Sequence, residues 1–432
     1  MQTHFTATQL QDPALSDANG ILRNCVHCGF CTATCPTYVL LGDELDSPRG
    51  RIYLIKQMLE EGRPATATDA KHIDRCLSCL ACMTTCPSGV NYMHLIDTAR
   101  AHVEETYRRS LPETLLRNGL AYIMPRPGLF RYAMAVAGLA KPFARLLHRF
   151  GANRIAAALK LAPASVPRET MGTPGLYPAT GQRKGSVSLL RGCVQPVIDP
   201  GINAATIRLL NRLGYDVSVA NGESCCGSLT HHLGKEEDAL SRARRTIDQW
   251  TDENTNAIII TASGCGTTIK DYGHLFRSDP GYAEKAETVS AKAKDITEFL
   301  AELGLPKANM ALRVAYHSAC SLQHGQKISS QPLQLLRNAG FDAIEIPEGH
   351  LCCGSAGTYN ILQPDIAKEL RDRKLANIAT TRPDVIATGN IGCITQLGTA
   401  SPVPVLHTIE LLDWAYGGQK PAKLDRDTPH AH

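Results

Sequence analysis

Sixteen cysteines in a chain of 432 residues fall into two sets of eight. Those between residues 25 and 86 repeat one spacing, C-x-x-C-x-x-C-x-x-x-C-P, as CVHCGFCTATCP and again as CLSCLACMTTCP. This is the two-cluster ferredoxin spacing, in which three close thiolates hold one cubane and the fourth cysteine ligates the other. By that crossover rule Cys25, Cys28, Cys31 and Cys86 hold one 4Fe-4S cluster, and Cys76, Cys79, Cys82 and Cys35 hold a second. Pro36 and Pro87 follow the crossing cysteines and turn the chain without adding a backbone donor. Zinc or a disulfide is the competing reading, but zinc sites ordinarily pair C-x-x-C knuckles.

The second set is Cys193, Cys225, Cys226, Cys265, Cys320, Cys352, Cys353 and Cys393, and it is an internal repeat. Cys193 to Cys225 spans 32 residues, as does Cys320 to Cys352; Cys226 to Cys265 spans 39 and Cys353 to Cys393 spans 40. The surroundings repeat as well: GSVSLLRGC against LRVAYHSAC, and SCCGS against LCCGS. Adjacent cysteines serve one tetrahedral ion poorly but can bridge two irons, and Gly227 and Gly354 let the backbone turn beside them. An additional cluster or a disulfide-active site is expected in each half; structural zinc or buried reduced thiols are the alternatives.

The elements that must position these thiols follow from periodicity. In the first half, residues 187–190, 216–219 and 257–261 read as strands, and 204–213 and 235–250 as helices. Such alternation predicts βαβ units on a parallel sheet, whose ligands sit beyond the carboxyl ends of the strands. Each cysteine of this set follows a predicted strand, so four thiols per half should converge on one edge. Between the two ferredoxin motifs, Ile52, Ile55, Met58 and Leu59 recur at helical spacing after Ser47-Pro48 and before Gly62. A helical ferredoxin-like module is therefore expected. Arg49 and Arg51 would lie near the clusters and favour their reduced state, or else be solvated or paired with Asp43 or Glu44.

The stretch between the two cysteine sets has its own character. From Glu113 to Glu169 there is no other acid, while Arg117, Arg126, Arg131, Lys141, Arg145, Arg149, Arg154, Lys160 and Arg168 supply nine cations. Tyr122, Ile123, Met124, Phe130, Tyr132, Met134, Phe143, Leu146, Leu147 and Phe150 interleave with them. A basic amphipathic segment of this kind suits an anionic membrane surface, here through residues 114–168. A pair of packing helices or a docking surface for an acidic subunit is the alternative.

Composition narrows the classes further. A net charge of +4 is too small to argue for nucleic acid, and no stretch approaches 18 apolar residues. The start MQTHFTATQLQDPALSD shows no secretory signal, so a cytoplasmic protein with reduced, metal-bound thiolates is expected. His231, His232, His317 and His350 lie near the second cysteine set, as tuning groups or as locally bonded loop residues. No G-x-G-x-x-G follows a predicted strand and no P-loop occurs, so flavin, nicotinamide and ATP sites are not expected on this chain, nor are catalytic residues for substrate oxidation.

The runs HCGFCTATCPTYVLLGDELDSPRGRIYLIKQMLEEG and CLSCLACMTTCPSGV, with the two CCG repeats, resemble the iron-sulfur subunits of glycolate oxidase. The resemblance runs from about Asn19 to Leu412. Relatives sharing this order include the anaerobic glycerol-3-phosphate dehydrogenase subunit and heterodisulfide-reductase-like proteins. It implies a hetero-oligomer in which an FAD-containing partner oxidises glycolate to glyoxylate, or D-lactate to pyruvate, while this chain passes electrons singly toward a quinone or another acceptor. It also implies a peripheral position on the cytoplasmic face of the inner membrane. In heterodisulfide-reductase-like proteins the CCG domain ends in C-x-x-C and holds a non-cubane cluster; here Thr268 and Gln396 stand at the last position.

The expected organisation is a helical two-cluster ferredoxin-like domain over 1–110 and a basic amphipathic helical linker over 111–183. Two α/β CCG domains with parallel sheets, 184–308 and 309–420, and a polar tail over 421–432 complete it. The competing functions are a glycerol-3-phosphate or lactate dehydrogenase subunit, a CCG-type disulfide or quinone reductase, and a zinc scaffold without redox activity.

Overall fold

A computed structural model describes residues 1–163, 165–222, 225–250 and 255–425. Its N-terminal part is helical because apolar residues recur at helical spacing between well-formed caps. Helix Pro48–Glu61 begins on Ser47, whose hydroxyl accepts from the Gly50 amide, with Pro48 at its first position, and ends on Gly62 at φ 59°. Its Ile52, Ile55, Met58 and Leu59 are buried against Leu22 of Pro13–Asn24, Ile73 of Ala67–Asp74, and Leu95 and Ile96 of Tyr92–Thr106.

A layer of short helices follows: Leu111–Ile123, Pro127–Ala140, Ala144–Arg149 and Asn153–Leu161. Among the described residues no helix is long and apolar enough to cross a membrane. The stretch expected to be a helical linker as far as residue 183 departs from that at its end. Strand β1 (Gly175–Tyr177) pairs antiparallel with a later strand, where three residues are too few to show a period.

The remainder is two sheets. The first contains β2 (Gly185–Leu189), β3 (Tyr215–Val219), β4 (Ala257–Ile260) and β5 (Ala293–Asp295), in the order β1-β3-β2-β4-β5. The second contains β6 (Arg313–Tyr316), β7 (Asp342–Glu345), β8 (Val385–Thr388) and β9 (Val405–His407), in the order β7-β6-β8-β9. Leaving out β1, both sheets are parallel with the same strand order, as a duplicated unit requires. Helix Gly201–Arg212 of the first repeat packs on Thr408–Ala415 of the second, and Gln331–Asn338 of the second packs on Ile296–Leu303 of the first. Reciprocal pairing of equivalent helices is the mark of a pseudo-two-fold. One hydrophobic core therefore runs through both sheets, from Leu189 and Val217 to Val314 and Leu406. The buried Asp413 carboxylate fastens the seam, accepting from Arg208 at 2.5 Å and also from Arg212.

Each CCG turn is built the same way. Gly227 and Gly354 have φ near 90°, and a Cβ on either would stand 2.7 or 2.5 Å from the carbonyl oxygen of Ala239 or Ala367 in the following helix. Only glycine fits both the left-handed backbone and this close approach. Gly354→Ala is expected to destabilise the second repeat by about 2–3 kcal/mol, read as a lower thermal midpoint of the full chain.

Candidate functional site

The two ferredoxin motifs fold into matching turns. Two and four residues after the first cysteine of each, the backbone is left-handed: His27 and Gly29 in the first motif, Ser78 and Leu80 in the second. Three of these four are not glycine, so both turns hold backbone strain that the surrounding packing must offset. The motifs lie side by side, with the Thr85 hydroxyl donating to Thr34 Oγ1 at 3.2 Å and helices Phe30–Ala33 and Ala81–Thr85 in contact.

This juxtaposition brings Cys25, Cys28, Cys31 and Cys86, with Cys82, around one small cavity bounded by Pro48, Ile52, Val90 and Tyr92. Cys28 is exposed there, beside Val26 and Phe30, whose side chains are 68% and 62% exposed. The Cys82 thiol is pushed well up by burial and then by the charges of Cys79, Cys76, Cys35 and Cys31, so it stands between the second motif's cysteines and the first's. No three of these eight sulfurs lie within 4.8 Å of one another. Ligands of a single tetrahedral ion must approach more closely than that, whereas a cubane spreads its four thiolates over four irons. The donor set thus fits cubanes better than zinc.

Cations stand beside both groups. Arg49 pairs with Glu44 at 2.7 Å, and its guanidinium lies over Gly29 in the first turn. Arg51 is buried, donates to the His72 carbonyl at 2.6 Å and the Thr37 hydroxyl at 3.0 Å, and reaches Cys35 Sγ at 3.8 Å. Its carboxylate partner is Asp46 at 3.4 Å, not Asp43 or Glu44, because helix Pro48–Glu61 turns it inward. Asp46 also accepts from Arg75 at 2.7 Å and contacts His72 at 2.9 Å. Sequence reading missed Asp46 and His72, which lie 26 residues apart and meet only in the fold.

In the first repeat the thiols of Cys193 and Cys226 both lie beside Cys225, and Cys226 also lies beside Cys265. Its two neighbouring thiols hold Cys225 well below an ordinary thiol, while Cys225 and burial push Cys193 and Cys226 up. The second repeat forms the same chain, Cys320 to Cys352 to Cys353 to Cys393. There Lys374, buried with its ammonium on the Glu348 carbonyl at 2.6 Å, faces the thiols of Cys320, Cys353 and Cys352. Nothing in the local sequence marks Lys374, since it lies in a charged helix, Pro364–Ala379, that reads as solvated.

Thiols of both repeats, with Cys76 and Cys79, line one cavity of about 470 Å³. Its far wall is apolar and comes from the helical layer: Leu120, Ile123, Met124, Phe130, Met134 and Leu161. Leu77 packs in one cluster with Cys320, Cys352 and Tyr359, with Cys79 and Leu40 against it. The second ferredoxin group and the second repeat are therefore in direct contact, and the Tyr359 hydroxyl donates to the Arg75 carbonyl at 3.0 Å.

The four histidines have different surroundings. His231 contacts the buried Asp97 carboxylate of helix Tyr92–Thr106 at 3.2 Å, and His232 lies beside the same carboxylate. His317 is fully buried next to Cys353 and Cys393, while His350 is partly exposed and its carbonyl faces His324. Burial works against a charged His231, but Asp97 outweighs it and holds the imidazole above its usual 6.5. Asp97 in turn is held well below an ordinary carboxylic acid despite its burial. A raised histidine contributes stability that is complete below pH 6.5 and is lost as pH rises through its folded value. Protection of the amides in helix Ser228–His232, taken relative to intrinsic exchange, is thus expected to fall as pH rises above 6.5, and Asp97→Asn should remove that fall.

The 4Fe-4S dicluster domain family model matches residues 21–90, and the cysteine-rich CCG domain model matches 187–270 and 314–398. The chain is 45% identical to the glycolate oxidase iron-sulfur subunit of Escherichia coli over 96% of its length and 99% of that protein. It is 31% identical to the probable glycolate oxidase iron-sulfur subunit of Bacillus subtilis over 92% and 95%. Lactate utilization protein A of Bacillus licheniformis is 29% identical over 52% of this chain and 98% of that protein. In fold, a crystal structure of a hypothetical protein from Helicobacter pylori superimposes with a TM-score of 0.56 at 9% identity, covering 97% of this chain and 75% of that one.

Proposed function

This chain belongs to the family of glycolate oxidase iron-sulfur subunits, and we propose that it is the electron-transfer subunit of a complex whose FAD-containing partner oxidises glycolate to glyoxylate. Two 4Fe-4S clusters, when bound, supply one-electron carriers that can divide the electron pair leaving the flavin. We assign Cys25, Cys28, Cys31 and Cys86 to the first, and Cys76, Cys79, Cys82 and Cys35 to the second.

The observation that carries this reading is the shared packing of Leu77 and Cys79 with Cys320 and Cys352. It links the second ferredoxin group to the second repeat and, with the two motifs lying side by side, supports a path from an exposed end at Cys28 to a buried end in the second repeat. The exposed end is the entry: Val26 and Phe30 offer the partner an apolar contact beside the first cysteine group. Arg49 and Arg51 favour the reduced state of whatever these thiolates hold, and Asp46 keeps Arg51 in place. Anaerobically purified protein should contain about eight irons in the two N-terminal clusters, with sulfide to match. Zinc with little iron would overturn the reading. Phe30→Glu should leave the iron in place yet slow glycolate-dependent cluster reduction in the complex about tenfold, for a loss of about 1.4 kcal/mol in docking.

At the buried end, the apolar wall facing the repeat thiols suits a lipid-soluble acceptor such as a quinone. The outer side of the same helices supports contact with a membrane. Tyr122, Tyr132, Leu139, Phe143 and Phe150 are exposed there, with Arg145 and Arg149 beside them. The other cations are partly used inside: Arg117 pairs with Asp74 at 2.8 Å, and Arg131 donates to the carbonyls of Pro167 and Pro196. At about 1 kcal/mol per cation near an anionic surface, Arg145→Glu with Arg149→Glu should weaken flotation with anionic liposomes by at least about 30-fold. Equal flotation of both proteins would leave that face to a protein partner.

A further inference from the structure

We propose that His317 is a metal ligand, so that the second CCG repeat builds a mixed imidazole–thiolate centre that the first repeat cannot build. The proposal rests on the second repeat holding a transition metal, alone or within an iron-sulfur cluster.

The repeat itself isolates the residue. Aligning GSVSLLRGC with LRVAYHSAC sets His317 opposite Leu190. Leu190 is an ordinary core residue, packed in one apolar cluster with Cys226 and Ile260. His317 occupies the equivalent place just beyond β6, is 0% exposed, and is anchored by its backbone amide on the Ala387 carbonyl at 2.8 Å. Neither ring nitrogen has a hydrogen-bond partner. Burying an imidazole without a partner is costly, so a position where leucine suffices in the sister repeat must gain something from it.

What the ring faces is a pair of thiols. A ring nitrogen of His317, Cys353 Sγ and Cys393 Sγ all lie within 4.8 Å of one another. Metal–sulfur bonds of about 2.3 Å and metal–nitrogen bonds of about 2.0–2.1 Å bring ligands closer than this, so a modest inward movement of three buried side chains completes the geometry. Gln396, the nearby amide on helix Ile391–Gly398, is already committed, accepting from Asn360 at 3.0 Å and donating to the Ala367 carbonyl at 3.0 Å. With a neutral nitrogen in place of a thiolate and the Lys374 ammonium alongside, this centre carries less negative charge than an all-thiolate one. Its reduced form is favoured, which suits the last station of an electron path.

The test uses the anaerobically purified full chain and the variants His317→Leu, which installs the first repeat's residue, and His317→Cys. For iron, pulsed EPR of the reduced and oxidised protein should show a strongly coupled nitrogen that vanishes in both variants, while the signals of the N-terminal clusters stay unchanged. For zinc, absorption spectroscopy at the metal edge should show mixed nitrogen and sulfur ligation in the wild type and sulfur alone in His317→Cys. Retention of the second-repeat metal in His317→Leu with an unaltered spectrum would overturn the assignment. If Cys353→Ser removes no metal at all, the failure lies instead in the reading that this repeat is a metal site.

Discussion

Thiolates that share a metal group must be gathered from distant parts of the chain and kept out of water, and the rest of the molecule answers to that demand. A short motif can supply three sulfurs by its own turn, but the fourth has to come from elsewhere. In the ferredoxin module this is met by laying two equal motifs against each other, with left-handed residues at His27, Gly29, Ser78 and Leu80 shaping both turns. The helices around them, especially Pro48–Glu61 and Tyr92–Thr106, form the rigid core that holds such strained turns in place.

The CCG repeats meet the same demand by topology. Each parallel sheet delivers its cysteines from the loops and first helical turns at the carboxyl ends of three strands, where the backbone leaves the sheet and side chains can converge. The pseudo-two-fold then turns both sets of strand ends toward one cavity, and the ferredoxin module closes it with Leu77, Ser78 and Cys79. Both repeats touch that module, but Cys320 and Cys352 of the second pack with Leu77 and Cys79, so the two repeats are not equivalent. Lys374 and His317 are two described residues by which they differ at the thiols, and both belong to the repeat whose thiols pack with Cys79.

Charge is arranged on the same plan. Buried cations, Arg51 and Lys374, stand near the thiol groups, and each is anchored by a carbonyl, from His72 or Glu348. Exposed cations gather on the helical layer, where acids are absent after Glu113 and aromatic side chains face outward. The layer thus has two different faces: an inner one that walls the thiol cavity and an outer one suited to a surface of opposite charge.

Much of this was legible in the residues alone. The doubled cysteine spacing, the duplicated CCG pattern, the alternation of strands and helices and the acid-free basic stretch are all local or periodic signals. They announce a two-cluster helical module, two α/β repeats and an amphipathic layer. What only the tertiary structure decided depends on residues far apart in sequence. Asp46 rather than Asp43 or Glu44 meets Arg51, and Asp97 meets His231 across the module boundary. Cys79 packs with Cys320, and the His317 ring has no hydrogen-bond partner while facing two thiols. Spacing along a chain specifies which side chains share a turn or a face, whereas meetings between elements follow from how whole faces pack, and no local pattern encodes those.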